Sequence, residues 1–117
     1  MLEALWSVTF VSNARQPLPG GGGIVVLETG RVLGGDTGFT YIGSFGATPG
    51  TGKFHADVTV KKYRDLPGVV SIFGPLTQFN LKLEGTPARE KFRADGYVVE
   101  HPEMKIAIEF VRRAELP

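Results

Sequence analysis

The sequence predicts an all-β chain: an eight-stranded antiparallel up-and-down β-barrel. Three observations predict it. Apolar and polar residues alternate with a period of two through most of the chain, as a half-buried strand requires. Glycine, proline and Asx turn signals cut that alternation at short intervals, which suits hairpins and leaves no room for crossover helices. The alternation is one-sided, which excludes a parallel sheet covered on both faces. Strands of this kind bury one face and lose their exposed edges when they close into a barrel. A two-sheet sandwich is the alternative packing of the same strands.

The first strand spans 5–11, with Trp6, Val8 and Phe10 on one face and Ser7, Thr9 and Val11 on the other. Residues 13–22 read as a loop, and the tract Pro19-Gly20-Gly21-Gly22-Gly23 as a flexible lead into the second strand, 23–28. Thr29-Gly30 closes that strand as a two-residue hairpin signal. A short third strand, 31–33, runs into a break at Gly34-Gly35-Asp36, and the fourth covers 39–45. Residues 46–52 form a turn. The fifth strand, 53–63, has the cleanest period, with Phe54, Ala56, Val58 and Val60 opposite His55, Asp57, Thr59 and Lys61. Residues 64–75 do not alternate. Leu66-Pro67-Gly68 ends the strand, and Val69-Val70-Ser71-Ile72-Phe73 is an apolar stretch inside a connection. The sixth strand is 78–84, with Phe79, Leu81 and Leu83 on one face. The seventh is 91–99, with Phe92, Ala94, Gly96 and Val98. The eighth is 104–113, with Met104, Ile106, Ile108 and Phe110 inward. Asp95-Gly96 could make a hairpin, but it would leave too short a partner strand, so Gly96 reads as a bulge or tight barrel corner.

The 117 residues make one domain, 1–117, with 42% apolar residues to fill a single core. Thirteen basic and 12 acidic residues give a net charge of +1. No basic block tracks a phosphate backbone, which argues against direct nucleic-acid binding. No stretch approaches the roughly 18 apolar residues of a membrane helix. The absence of cysteine removes disulfides and thiolate metal sites. Together with an N-terminus lacking a secretory pattern, it suits a cytoplasmic protein.

Several segments imitate chemistry. Residues 46–54, GATPGTGKF, have five residues between Gly46 and Gly52 where a P-loop has four, and Phe54 stands where a hydroxyl would hold magnesium. A hairpin loop is the better reading. His55 has outward parity and His101 lies in Glu100-His101-Pro102-Glu103, a turn by composition. Neither has the ligands of a metal site nearby in sequence. Ser7, Ser12, Ser44 and Ser71 lack a nucleophile-elbow context. No acid–base constellation converges, so no enzyme and no cofactor is expected. Asp36 reads first as an Asx cap of its glycine-rich turn, with a binding role as the other possibility.

Trp6 and Arg112 share inward parity at the start of the first strand and the end of the last. In an eight-stranded barrel those strands are neighbours. Their meeting resembles the tryptophan–arginine closure of lipocalin and calycin barrels, although Ala4 and Leu5 stand where those barrels carry a glycine. The other reading lets Arg112 run out to water.

An ordered set of residues also resembles the GrlR-like negative regulators of type III secretion. The set is Trp6-Ser7-Val8-Thr9-Phe10, then Gly23-Ile24-Val25-Val26, then Gly34, Gly35 and Asp36 followed by Tyr41 and Gly43, then Thr59-Val60-Lys61-Lys62-Tyr63. The likeness covers about residues 5–85, and the C-terminal strands more loosely. It implies a lipocalin-like barrel, usually dimeric, without enzymatic activity, that sequesters a transcriptional activator of secretion genes. The chain departs from the family's pattern in its 46–51 loop, GATPGT, which has no acid where the best-studied kind of member has an acidic run.

The expected function is therefore regulatory binding of a protein partner, with an apolar small molecule held in the barrel as the alternative. Val69, Val70, Ile72 and Phe73 are the expected contact, since they cannot all point inward. They would serve a homodimer or a partner, or else form a lid over the barrel end. Glu100 and Glu103 are a second candidate surface.

Overall fold

A computed structural model of the chain describes residues 2–11, 17–65 and 76–117, with backbone alone over 17–20. It contains eight strands: β1 (Ala4–Val11), β2 (Pro17–Glu28), β3 (Arg31–Gly35), β4 (Phe39–Ala47), β5 (Phe54–Lys62), β6 (Gln78–Gly85), β7 (Lys91–Val98) and β8 (His101–Ala114). Each pairs antiparallel with the next, and β1 pairs with β8, so the sheet closes into an up-and-down barrel. Closure decides against the sandwich. The architecture is compatible with a lipocalin-like barrel.

The inward set follows the sequence parity. Trp6, Val8, Phe10, Phe54, Val58, Val60, Phe79, Leu81, Leu83, Phe92, Ile108 and Phe110 are all buried, and Ile106 is partly buried against them. Of their alternates, His55, Asp57, Lys61 and Lys105 are exposed and Asn80 is half-buried, so the register read from the sequence is the observed one. The Thr29-Gly30 hairpin forms as read, with φ of 50° and 77° at its two central residues, the left-handed pair that matches strand twist.

Four sequence readings are corrected. The glycine tract before residue 23 is strand: β2 begins at Pro17, and Gly22 and Gly23 pair with Thr9 and Val8 of β1. Gly34-Gly35 is the end of β3, and the break falls at Asp36. In both places glycine pairs in the ladder like any other residue. A Cβ on Gly34 would lie 2.0 Å from the Ile24 carbonyl oxygen, and one on Gly23 would lie 2.5 Å from that of Gly35. Glycine here admits a close approach of β2 and β3; it does not loosen the chain. His101 opens β8, with the turn at Val99-Glu100, because a bulge between Tyr97 and Val98 shifts the pairing to Val98↔His101. Gly96 lies inside β7, where a Cβ would sit 1.7 Å from the Lys82 carbonyl oxygen, so glycine there admits a close approach to β6, the bulge falls one residue on, between Tyr97 and Val98, and the Asp95-Gly96 hairpin does not form. The last correction is one of length: β4 and β8 run further than the alternation showed, to Ala47 and Ala114.

Candidate functional site

The barrel offers three places for function: its lumen, its ends and its outer wall. The lumen is filled by aromatic rings. Phe92 and Phe110 stack at 4.7 Å between centroids, Trp6 meets Phe92 edge-on at 5.2 Å, and Phe54 meets both phenylalanines at 5.2 and 5.6 Å. Among the described residues the lumen keeps a cavity of about 30 Å³, lined by apolar side chains from Val8 to Phe110. That is the share of one water in the liquid, an order of magnitude below the roughly 300 Å³ of a small-molecule pocket.

One end is closed by Trp6 and Arg112, which are direct cross-strand partners. The guanidinium carbon lies 5.1 Å from the indole ring centre, and the Arg112 side chain is only 6% exposed. Arg112 does not run out to water. Its Nε donates to the Arg89 carbonyl oxygen at 2.8 Å, and one terminal nitrogen lies 3.1 Å from a Glu115 carboxylate oxygen. The indole Nε1 donates to the Leu2 carbonyl oxygen at 2.8 Å. The predicted pair therefore forms as a structural latch that ties the chain's two ends together.

Asp36 sits at the β3–β4 turn, with Gly34, Gly35 and Tyr41 on the strand ends beside it. The Asp36 carboxylate accepts from the backbone N–H groups of Gly38 and Phe39, each at 2.8 Å, which is the Asx cap the sequence suggested. Its second oxygen accepts from the Tyr41 hydroxyl. Burial first, and then this carboxylate, push the Tyr41 phenol well above its ordinary range. The turn is held from outside as well: the Tyr63 hydroxyl donates to the Asp36 carbonyl oxygen at 2.8 Å, and Arg64 Nε to that of Thr37 at 2.6 Å. Gly43 supplies a close approach to β5, since a Cβ there would sit 2.0 Å from the Asp57 carbonyl oxygen. Gly34, Gly35, Asp36 and Tyr41 thus adjoin one turn, while Gly43 lies further along β4 opposite Val32.

Of the other expected positions, Val69, Val70, Ile72 and Phe73 lie outside the described residues. Glu100 receives the Asn80 backbone N–H at 2.8 Å and its side-chain amide at 2.6 Å, which hold its carboxyl below the usual range. It is occupied within the chain. Glu103 lies 3.5 Å from His101 Nδ1. The P-loop imitation is a hairpin, closed by Thr48 N–H to the Lys53 carbonyl oxygen at 2.8 Å and by positive φ at Gly50 and Gly52. Among the described residues, no group of three His, Cys, Asp or Glu side chains is placed to hold a metal ion.

The outer wall has two unlike halves. Outward positions on β5 to β8 include Asp57, Lys61, Lys82, Glu84, Lys91, Asp95 and Lys105, all exposed. Lys82 and Asp57 pair at 3.1 Å, and Arg93 and Asp95 at 2.9 Å. Beside the latter runs an open groove of about 510 Å³ lined by Lys53, Glu84, Thr86, Arg93 and Asp95, in which each cation already faces an acid. On β2 to β4 the outward positions change character. Ile24 is 51% exposed, Ile42 50% and Leu33 38%. The cross-strand register aligns Leu5, Val26, Leu33 and Ile42 in one row. The sequence reading missed this half because β2 is apolar on both faces, Val25 and Leu27 inward and Ile24 and Val26 outward, and such a run gives no parity. The hairpin at Thr29-Gly30 fixes the register and would have revealed it.

No family model matches the chain, and the curated proteins contain no match to it. The likeness to the GrlR-like regulators rests on the residues quoted above.

Proposed function

We propose that this chain is a non-enzymatic regulatory binding protein that takes a protein partner on the outer wall of its barrel. The filled lumen carries this reading. A lumen cavity of about 30 Å³ among the described residues is small for the apolar ligand of a hollow barrel, which favours recognition on the outside. The resemblance to the GrlR-like family supplies the finer form: sequestration of a transcriptional activator in the cytoplasm. Two observations support a different contact from that of the family. The 46–52 hairpin carries no acid to attract a basic activator. The apolar row across β1 to β4 offers salt-tolerant burial in its place.

The test is co-purification of tagged chain from its native host at low and high salt. A protein partner retained at high salt and lost from Ile42→Asp is expected. Capture that survives Ile42→Asp but disappears from a Glu100→Lys, Glu103→Lys double variant would move the contact to the turn acids. No partner under either condition would refute the regulatory reading.

A further inference from the structure

We propose that the groove where β6 ends beside β7 is a binding site for a small zwitterion, an amino acid held by its carboxylate and its ammonium group. The inference goes beyond the regulatory reading and does not depend on it, and its test needs only the purified chain.

The strand register builds the site as two short rows of opposite charge. Glu84 pairs with His55 on one side and with Asp95 on the other, so two carboxylates stand directly opposite each other. Phe54 pairs with Gly85, and Gly85 with Ala94. One residue further along, where the ladder ends, Lys53 and Arg93 flank Thr86. The cations therefore lie two residues from the acids along the strands, about 6.6 Å. Lys53, Glu84, Gly85, Thr86, Arg93 and Asp95 line the groove of about 510 Å³, which is within the size range of small-molecule sites.

The Arg93 guanidinium is underused. Its Nε and its Nη2 both go to the same Asp95 oxygen, at 3.0 and 2.9 Å. Its Nη1 is buried and has no acceptor among the described residues. A guanidinium has five donors in a planar fork that matches a carboxylate with two parallel bonds. A ligand carboxylate would use that fork, with Lys53 alongside. Glu84 and Asp95 are the converse case. Like charges directly opposite on a sheet repel. The cation beside Glu84, Lys53, stands 3.7 Å away, beyond hydrogen-bond reach. A ligand ammonium between the two acids would give each a donor. Nη1 is covered, so binding is an exchange: the guanidinium leaves Asp95 for the ligand carboxylate, and Asp95 turns to the ammonium.

The charge balance argues against simpler ligands. The two cations and two acids of the groove cancel. A plain anion would meet Glu84 and Asp95, and a plain cation would meet Lys53 and Arg93. Among the described residues no three side chains are placed to hold a metal ion. Each new ion pair replaces an existing one in an open groove, so a dissociation constant in the millimolar range is expected.

Proton–nitrogen correlation NMR on the purified chain tests this with three probes. L-Alanine carries both charges, N-acetyl-L-alanine only the carboxylate, and L-alaninamide only the ammonium. Up to about 50 mM, L-alanine should shift the amide resonances of Thr86, Arg93 and Asp95 saturably, and the other two probes should leave them in place. Arg93→Gln and Glu84→Gln should each weaken L-alanine binding about tenfold or more. The Glu84 side chain is 62% exposed, so its exchange leaves the fold intact and keeps the test valid if Arg93→Gln unfolds. Absence of a saturable shift with L-alanine overturns the proposal. Equal binding of N-acetyl-L-alanine or of L-alaninamide also overturns it, by making the groove a plain anion or cation site. L-Alanine binding unchanged in Glu84→Gln would place the contact elsewhere and overturn it as well.

Discussion

Tyr41 is a buried phenol inside an otherwise apolar lumen, and its one polar atom is satisfied by Asp36. The pair explains why an acid sits at a turn that glycine alone could make. Asp36 caps two backbone N–H groups with one oxygen and holds the phenol with the other. The arrangement has a pH consequence. In the fold the Tyr41 pKa lies above its ordinary value of 10.0, through burial and then through Asp36. Its stabilisation is therefore complete below about pH 10 and declines as pH rises beyond that, because the unfolded chain loses the proton more readily. Tyr41→Phe removes the donor and leaves an Asp36 oxygen without it, which should cost about 1–3 kcal/mol. In urea unfolding at successive pH values, that variant should also lose less stability than wild type between neutral and strongly alkaline conditions. Equal alkaline losses in the two proteins would show that Tyr41 does not carry the effect. Arg112 makes a different point at the same scale. A guanidinium with 6% exposure is placed by an indole, a carbonyl and a carboxylate together, and parity alone could not choose between that and solvent.

At the scale of strands, the hairpin between β2 and β3 fixes which residues reach the outer wall. Its first central residue is Thr29 at φ 50°, a left-handed conformation that β-branched side chains resist. Thr29→Asn should therefore raise stability by about 0.5–1 kcal/mol, by the tolerance of asparagine for that region. A thermal midpoint equal to or below that of wild type would mean that Thr29 makes a compensating contact. The strands themselves were legible where one face is charged, as in β5, where His55, Asp57 and Lys61 alternate with Phe54, Ala56, Val58 and Val60. They were illegible for two physical reasons elsewhere. Gly22, Gly34 and Gly35 carry no side chain to show a period, although they pair in the ladder like any other residue. Ile24 and Val26 are as apolar as their inward neighbours, so the sequence does not tell the wall from the core. The latch and the Asx cap could be anticipated because their chemistry is local or lies at matched ends of neighbouring strands. The wall needed the register of four strands at once.

For the molecule as a whole, the decisive property is a packed lumen beside an outer wall that carries an apolar row, Leu5, Val26, Leu33 and Ile42. Small barrels can be filled by side chains or hold one ligand, and the choice here is made by large inward rings set beside small inward residues such as Ala56 and Ala94. Phe54 is central to that packing: it is 1% exposed and meets the rings of Phe45, Phe92 and Phe110. If the lumen is structural, wild-type protein should bind no benzene-sized molecule inside the barrel, whatever its outer wall does. Phe54→Ala should cost about 3–5 kcal/mol and open an apolar cavity that admits one, because a dry cavity lined by aliphatic and aromatic groups takes up such ligands. Ligand-induced shifts in the thermal midpoint, read with benzene at saturation, separate the cases. A rise for Phe54→Ala and none for wild type is the expected pattern. A rise for wild type would show that the barrel opens to accept an apolar ligand, and the small-molecule reading would then replace the one based on the wall. The same pair of proteins distinguishes the two surfaces, since Phe54 faces the lumen and its loss leaves the outward row of Leu5, Val26, Leu33 and Ile42 in place.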